Sequence, residues 1–176
     1  PMGWLAPIVI KAKLLIQELW LQELEWDKKV PEDISNRWLS FQNQLKSVQT
    51  ITIPRWMHYS PSTVEILGFC DASEKAYGAV VYSKTINASG DSKITLLIAK
   101  SKVAPARKKT TLPKLELCAA LLLAKLIKKT TTALEFENPS IFAWTDSKIA
   151  LAWIKGNPAR WKTFVANRVS QIQTLL

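Results

Sequence analysis

The sequence predicts a mixed α/β fold in which helices pack on a sheet, preceded by an N-terminal helical hairpin. Three observations carry this. Apolar positions recur at three-to-four spacing over residues 1–48 and then stop. Short apolar runs separated by turn-forming residues begin at residue 64. From residue 112 the order becomes a long helical pattern, one more apolar run, and two further helical patterns.

The first helix is read from Leu5, Ile8, Val9, Ala12, Leu15, Ile16 and Leu19 and is expected to end near Trp26. The second is expected to hold Pro31 in its first turn. Glu32 and Asp33 there favour the positive end of the helix dipole, and Ile34, Trp38, Phe41, Leu45 and Val48 follow at helical spacing. These two form the hairpin. From residue 49 to 63 the periodicity is lost, and Pro54 and Pro61 remove backbone donors within a short span. The expected organisation is a helical connector over 1–53, a linker over 54–63 and the α/β domain over 64–176.

Within that domain, residues 64–70, 77–82 and 94–99 read as three strands. The turn cluster Asn87-Ala88-Ser89-Gly90-Asp91 lets the second and third pair as an antiparallel meander. Residues 112–129 read as a helix with Pro113 in its first turn. Leu112, Leu115, Ala119, Leu122 and Leu126 line one stripe, and its other face is apolar as well. Residues 141–144 read as a fourth strand ending in Thr145-Asp146-Ser147, where Asp or Ser can cap a helix running to about Ile154. Gly156, Asn157 and Pro158 break that helix, and a last one is expected over 161–175.

Composition sets the class of partner. The chain has 176 residues and a formal charge of +10. Residues 1–63 carry 7 basic and 6 acidic side chains, against 17 and 8 in residues 64–176, so the affinity for polyanions belongs to the second part. At 48% hydrophobic the chain can bury a core, which excludes a disordered tail. Cys70 and Cys118 both lie in apolar runs and read as buried thiols of a reducing compartment, not as a disulfide or zinc framework. The longest apolar stretch, 115–127, is interrupted by Glu116 and Lys125 and falls short of the roughly 20 residues of a membrane helix. The N-terminus, which starts at Pro1, carries no targeting signal and reads as a piece of something longer.

Three carboxylates stand where chemistry is expected. Asp71 ends the first strand, Asp146 ends the fourth, and Glu116 lies near the start of the helix between them. Ligand sites in α/β sheets form outside the carboxyl ends of strands, so parallel first and fourth strands would bring the two aspartates out side by side. Such a cluster needs a cation to neutralise it, and oxygen-only ligation suits Mg²⁺ or Mn²⁺. The bland alternatives are turn or cap roles for Asp71 and Asp146 and a dipole role for Glu116.

The runs GFCDASEKAYGAVVY, LPKLELCAALLLAKL and FAWTDSKIALAWIKGNP resemble the ribonuclease H domain of retrotransposon polyproteins, most closely the BEL/Pao class of LTR elements. The upstream run GWLAPIVIKAKLLIQELWLQELEWD resembles the stretch that joins reverse transcriptase to that domain. The resemblance implies a ribonuclease H-like mixed sheet and places the family's first three catalytic, metal-binding acids on Asp71, Glu116 and Asp146. It further implies two-metal hydrolysis of the RNA strand of an RNA–DNA hybrid. Partner expectations are the hybrid, or another nucleic acid, and the reverse transcriptase of the parent polyprotein. The expected location is intracellular: cytoplasm, nucleus or retroelement particle. In the family a further strand and a fourth carboxylate follow the last helix, often with a histidine nearby. Because the chain stops at Leu176, its C-terminal strand and helix are expected to be missing and its cleavage weak or lost. Its only histidine, His58, lies in the proline-bearing linker and reads as structural.

For nucleic-acid binding the candidates are Lys100, Lys102, Arg107, Lys108, Lys109 and Lys114, a basic stretch without an acid, and a second cluster of Arg160, Trp161, Lys162 and Arg168. Trp161 reads equally as a core residue. Ser73, Ser147 and Lys148 flank the acids and are candidates for phosphate or sugar contacts. The rival readings are a non-catalytic nucleic-acid-binding or structural module with the same fold, and a different Mg²⁺-dependent phosphoryl-transfer enzyme.

Overall fold

The computed structural model describes residues 3–53, 64–86, 89–107, 110–136 and 138–176. The linker 54–63 with Pro54, His58 and Pro61, the Asn87-Ala88 half of the turn cluster, and Lys108 and Lys109 lie outside the described residues.

A short 3₁₀ turn leads into helix α1 (Ala6–Leu21), and α2 (Glu32–Leu45) folds back against it. The sequence expectation of a hairpin is met, with shifted ends. Helix α1 stops at Leu21, not near Trp26, because the chain turns through Glu23 at a φ of 52°. Pro31 stands just before α2 as its cap residue, and its extended ψ of 142° sets the entry into the helix. Arg37 on α2 grips Glu18 on α1 through two contacts of 2.9 Å. That hydrogen bond holds the Glu18 carboxyl below the usual range, with slight desolvation opposing it.

The sheet has four strands, β1 (Val64–Ala72), β2 (Ala76–Ile86), β3 (Ser92–Val103) and β4 (Ser140–Trp144), in the order β3-β2-β1-β4. β1 and β2 pair antiparallel, as do β2 and β3, while β4 runs parallel to β1 with Glu65 opposite Ser140 and Phe69 opposite Trp144. The connection from β3 to β4 carries helix α3 (Leu112–Ala133), followed after β4 by α4 (Lys148–Lys155) and α5 (Thr163–Leu175).

Alternation assigns the two faces of the sheet. On β1, Val64, Ile66 and Cys70 are buried; on β2, Ala79, Val81, Ser83 and Thr85 are. All of these face α3, which buries residues on both of its apolar stripes, including Leu115, Leu117, Leu122, Leu123, Leu126 and Ile127. Each such side chain removed from water contributes on the order of 1.5–3 kcal/mol. Val165, Val169 and Ile172 of α5 close the same core. Gly68 of β1 lies beneath α3, where a Cβ would stand 2.8 Å from Leu123 Cδ1, so glycine lets helix and strand approach here.

The opposite face is only half covered. Helix α1 lies over β3, held by Lys13 Nζ donating to the Ser101 carbonyl at 2.9 Å, Ser101 Oγ to the Ala6 carbonyl at 3.0 Å, and Gln17 Nε2 to the Ala104 carbonyl at 2.6 Å. Over β1 and β4 that face bears an exposed aromatic group. Phe69 stacks on Trp144, Phe142 on Trp144, and Tyr82 meets Phe69 edge-on.

Candidate active site

The parallel ladder between β1 and β4 ends at the pair Phe69 and Trp144, and each strand carries its aspartate two residues further on, Asp71 and Asp146. Cys70 lies between them. Its thiol donates to the Trp144 carbonyl at 3.6 Å. Burial pushes this thiol up to about 11; a hydrogen bond with Thr145 opposes the rise, and the negative charges of Asp71 and Asp146 add to it. One thiol thus senses both carboxylates, as neighbouring strand ends require.

Glu116 is the fifth residue of α3, beyond the first turn, so a dipole role does not explain it. Its half-buried carboxylate accepts a hydrogen bond at Oε2 from Ser147 Oγ. Ser147 is also the cap residue of α4, its Oγ accepting the Ala150 N–H at 3.1 Å. The capping role left open between Asp146 and Ser147 therefore falls to Ser147, and Asp146 stays exposed. The third acid is thus bonded to the residue that follows Asp146.

Three oxygen-donor carboxylates at the carboxyl end of a sheet have the chemistry of a site for a hard divalent cation. The side chains as they stand are not a closed cage. Asp71 Oδ1 accepts its neighbour's N–H, from Ala72 at 2.6 Å, and Glu116 Oε2 is held by Ser147. Among the described residues no set of three His, Cys, Asp or Glu side chains is arranged to hold a metal ion.

The basic candidates divide. Antiparallel register sets Lys102 opposite Tyr77 and Lys100 opposite Ala79, at the end of the sheet where β1 delivers Asp71. Lys100, Asp71 and Ser73 line one groove there, whose apolar walls include Trp4, Pro7, Phe69 and Tyr82. Arg107 stands apart, exposed and facing Glu23 at 3.5 Å. Lys148, Arg160 and Lys162 are exposed. Arg168 is tied inward instead: its guanidinium lies 3.5 Å from the centroid of the Phe164 ring, donates to the Phe164 carbonyl at 2.9 Å and reaches Cys118 Sγ at 3.3 Å. Trp161 packs on the core beside Trp153. The Ser73 hydroxyl is engaged by the turn between β1 and β2, accepting from Lys75 and Ala76 and donating to the Ala76 carbonyl. Cys70 is buried as expected, whereas Cys118 is half-buried.

Sequence reasoning passed over the aromatic group on the open face. Its only signal was that Phe69, Phe142 and Trp144 fall on alternate positions of two strands, which becomes informative once those strands are known to be neighbours.

An antiparallel meander, a crossover helix and a fourth strand laid parallel to the first, with one acid among the last paired residues of β1 and another just past β4, define a ribonuclease H-like domain. The chain belongs to the Pao retrotransposon-like RNaseH-like domain family, whose model matches residues 1–147. The match takes in the helical hairpin and all three acids and ends at Ser147. No curated protein matches the chain. No helix among the described residues is long and apolar enough to cross a membrane.

Proposed function

We propose that this ribonuclease H-like module hydrolyses the RNA strand of an RNA–DNA hybrid within a retroelement polyprotein. Asp71, Glu116 and Asp146 would hold Mg²⁺ or Mn²⁺. The observation that carries the reading is the linkage of the three acids: two on adjoining parallel strand ends, the third bonded to the residue that follows Asp146. The chemistry a pair of such ions supplies is activation of a water and neutralisation of charge at the leaving 3′ oxygen. The chain's own contribution is to present the acids on rigid elements and to bring phosphate to them. Lys100 and Lys102 sit at the acid end of the sheet, and Lys148 follows the acids into α4, so a duplex backbone crossing that end meets cations on either side of them. The helical connector over 1–53 is proposed to dock through α1 on the α/β domain over 64–176, to which residues 54–63 link it in sequence, with reverse transcriptase as the neighbouring partner.

A second reading, a nucleic-acid-binding module without turnover, is favoured by the carboxylates already engaged by Ala72 and Ser147. Incubation with a labelled hybrid and Mg²⁺ or Mn²⁺ separates the two. Cleavage that is lost in Asp71→Asn, Glu116→Gln and Asp146→Asn supports the nuclease. Retained hybrid binding with no metal-dependent cleavage supports the second reading, and cleavage surviving all three substitutions sinks the site.

A further inference from the structure

We propose that Ser147 is a positioning residue for Glu116, holding the carboxylate that α3 contributes to the acid site; this rests on the nuclease reading above. The first argument is an inventory of its hydroxyl. A serine has one proton to donate, and Ser147 gives it to Glu116 Oε2 while its oxygen accepts the Ala150 N–H. Phosphate oxygens only accept hydrogen bonds, so the hydroxyl has no proton left to give a backbone phosphate. The second argument is burial. Ser147 is 6% exposed although its neighbours Asp146 and Lys148 are both exposed. The third is connectivity: one side chain caps the helix that starts beside Asp146 and grips the acid that comes from α3, 31 residues away in sequence. A carboxylate on a flexible two-carbon stem is thereby referred to the same backbone turn that carries Asp146. Groups of this kind, one step behind a ligand, commonly change metal affinity 10- to 100-fold when removed.

The test uses Mn²⁺ alone as the probe, titrated calorimetrically into the full 176-residue chain. Ser147→Ala and Ser147→Gly are expected to weaken Mn²⁺ binding equally, by roughly 10-fold or more, and Ser147→Thr, which restores the hydroxyl, to stay within about threefold of wild type. Glycine caps a helix nearly as well as serine whereas alanine does not, so a weakened alanine variant beside a normal glycine variant would reduce Ser147 to a helix cap and overturn the proposal. Normal binding in both, with Glu116→Gln impaired, would also overturn it. If Asp71→Asn and Glu116→Gln bind Mn²⁺ as wild type does, the metal site itself fails. The link is then judged on metal-free protein: the ¹³C resonance of the Glu116 carboxyl should move in Ser147→Ala and return in Ser147→Thr, and a resonance unmoved by either would refute it.

Discussion

Phe69 and Trp144 are register partners whose rings stack with centroids 4.9 Å apart and planes 13° from parallel, two residues before the aspartates of their strands. Both are nearly half exposed, 43% and 46%, so the stack adds to β1–β4 pairing without the shelter of a core. In a double-mutant cycle of Phe69→Ala and Trp144→Ala, chemical denaturation should show a coupling of about 0.5–1.5 kcal/mol. Additive effects would mean that the rings merely lie near each other.

Cys70 gives the acid end of the sheet a pH signature. Its thiol is raised from about 9 to about 11. Below pH 9 the folded and unfolded chains both hold the proton; between pH 9 and 11 the unfolded chain releases it first, so stability falls as pH rises through that window. The full effect is on the order of 3 kcal/mol above pH 11. Stability followed from pH 8 to 11 should decline less steeply in Cys70→Ala than in wild type. At pH 8, iodoacetamide should modify the half-buried Cys118 before Cys70.

Gly3 tests how the connector is seated. A Cβ there would come within 2.5 Å of Ala99 N and 2.7 Å of its carbonyl oxygen, and backbone cannot step aside as a side-chain tip can. Gly3→Ala should lift the start of α1 off β3 at a cost of about 1–3 kcal/mol. Amide exchange would register this as faster exchange in α1, with α3 unaffected. An unchanged α1 would show that the Lys13 and Gln17 contacts suffice to hold it.

For nucleic acid, affinity for a hybrid should fall linearly on a log–log plot against salt. Replacing Lys108 and Lys109 by alanine should reduce the slope by about 0.9 for each phosphate contact removed, taking the B-DNA coefficient as a guide. Lys100→Ala with Lys102→Ala should do the same if the hybrid crosses the acid end of the sheet. Equal slopes in wild type and both double variants would take these lysines out of the interface.

The strands and helices were legible because local chemistry marks them. Pro113 opens α3, Gly156 to Pro158 close α4, and Val64 to Cys70 form an apolar run of strand length. The end of α1 was not legible, since neither glycine nor proline marks the turn through Glu23. Residues 141–144 read correctly as a strand, yet an unbroken apolar run suggests burial, and Ile141, Phe142 and Trp144 are each more than 40% exposed at the edge of the sheet. Asp71, Glu116 and Asp146 could be singled out as acids at element ends. The bond from Ser147 to Glu116 could not, because it depends on how α3 crosses the sheet relative to the start of α4.

The pairing of residue 65 with residue 140 also orders events in time. The meander of β1, β2 and β3 closes through short connections, whereas pairing β4 with β1 closes a far longer loop that carries the whole of α3. Asp71 and Asp146 are therefore expected to become neighbours late in folding. A nascent or stalled chain exposes one aspartate without the other, and any chemistry that needs both is withheld until the crossover is complete.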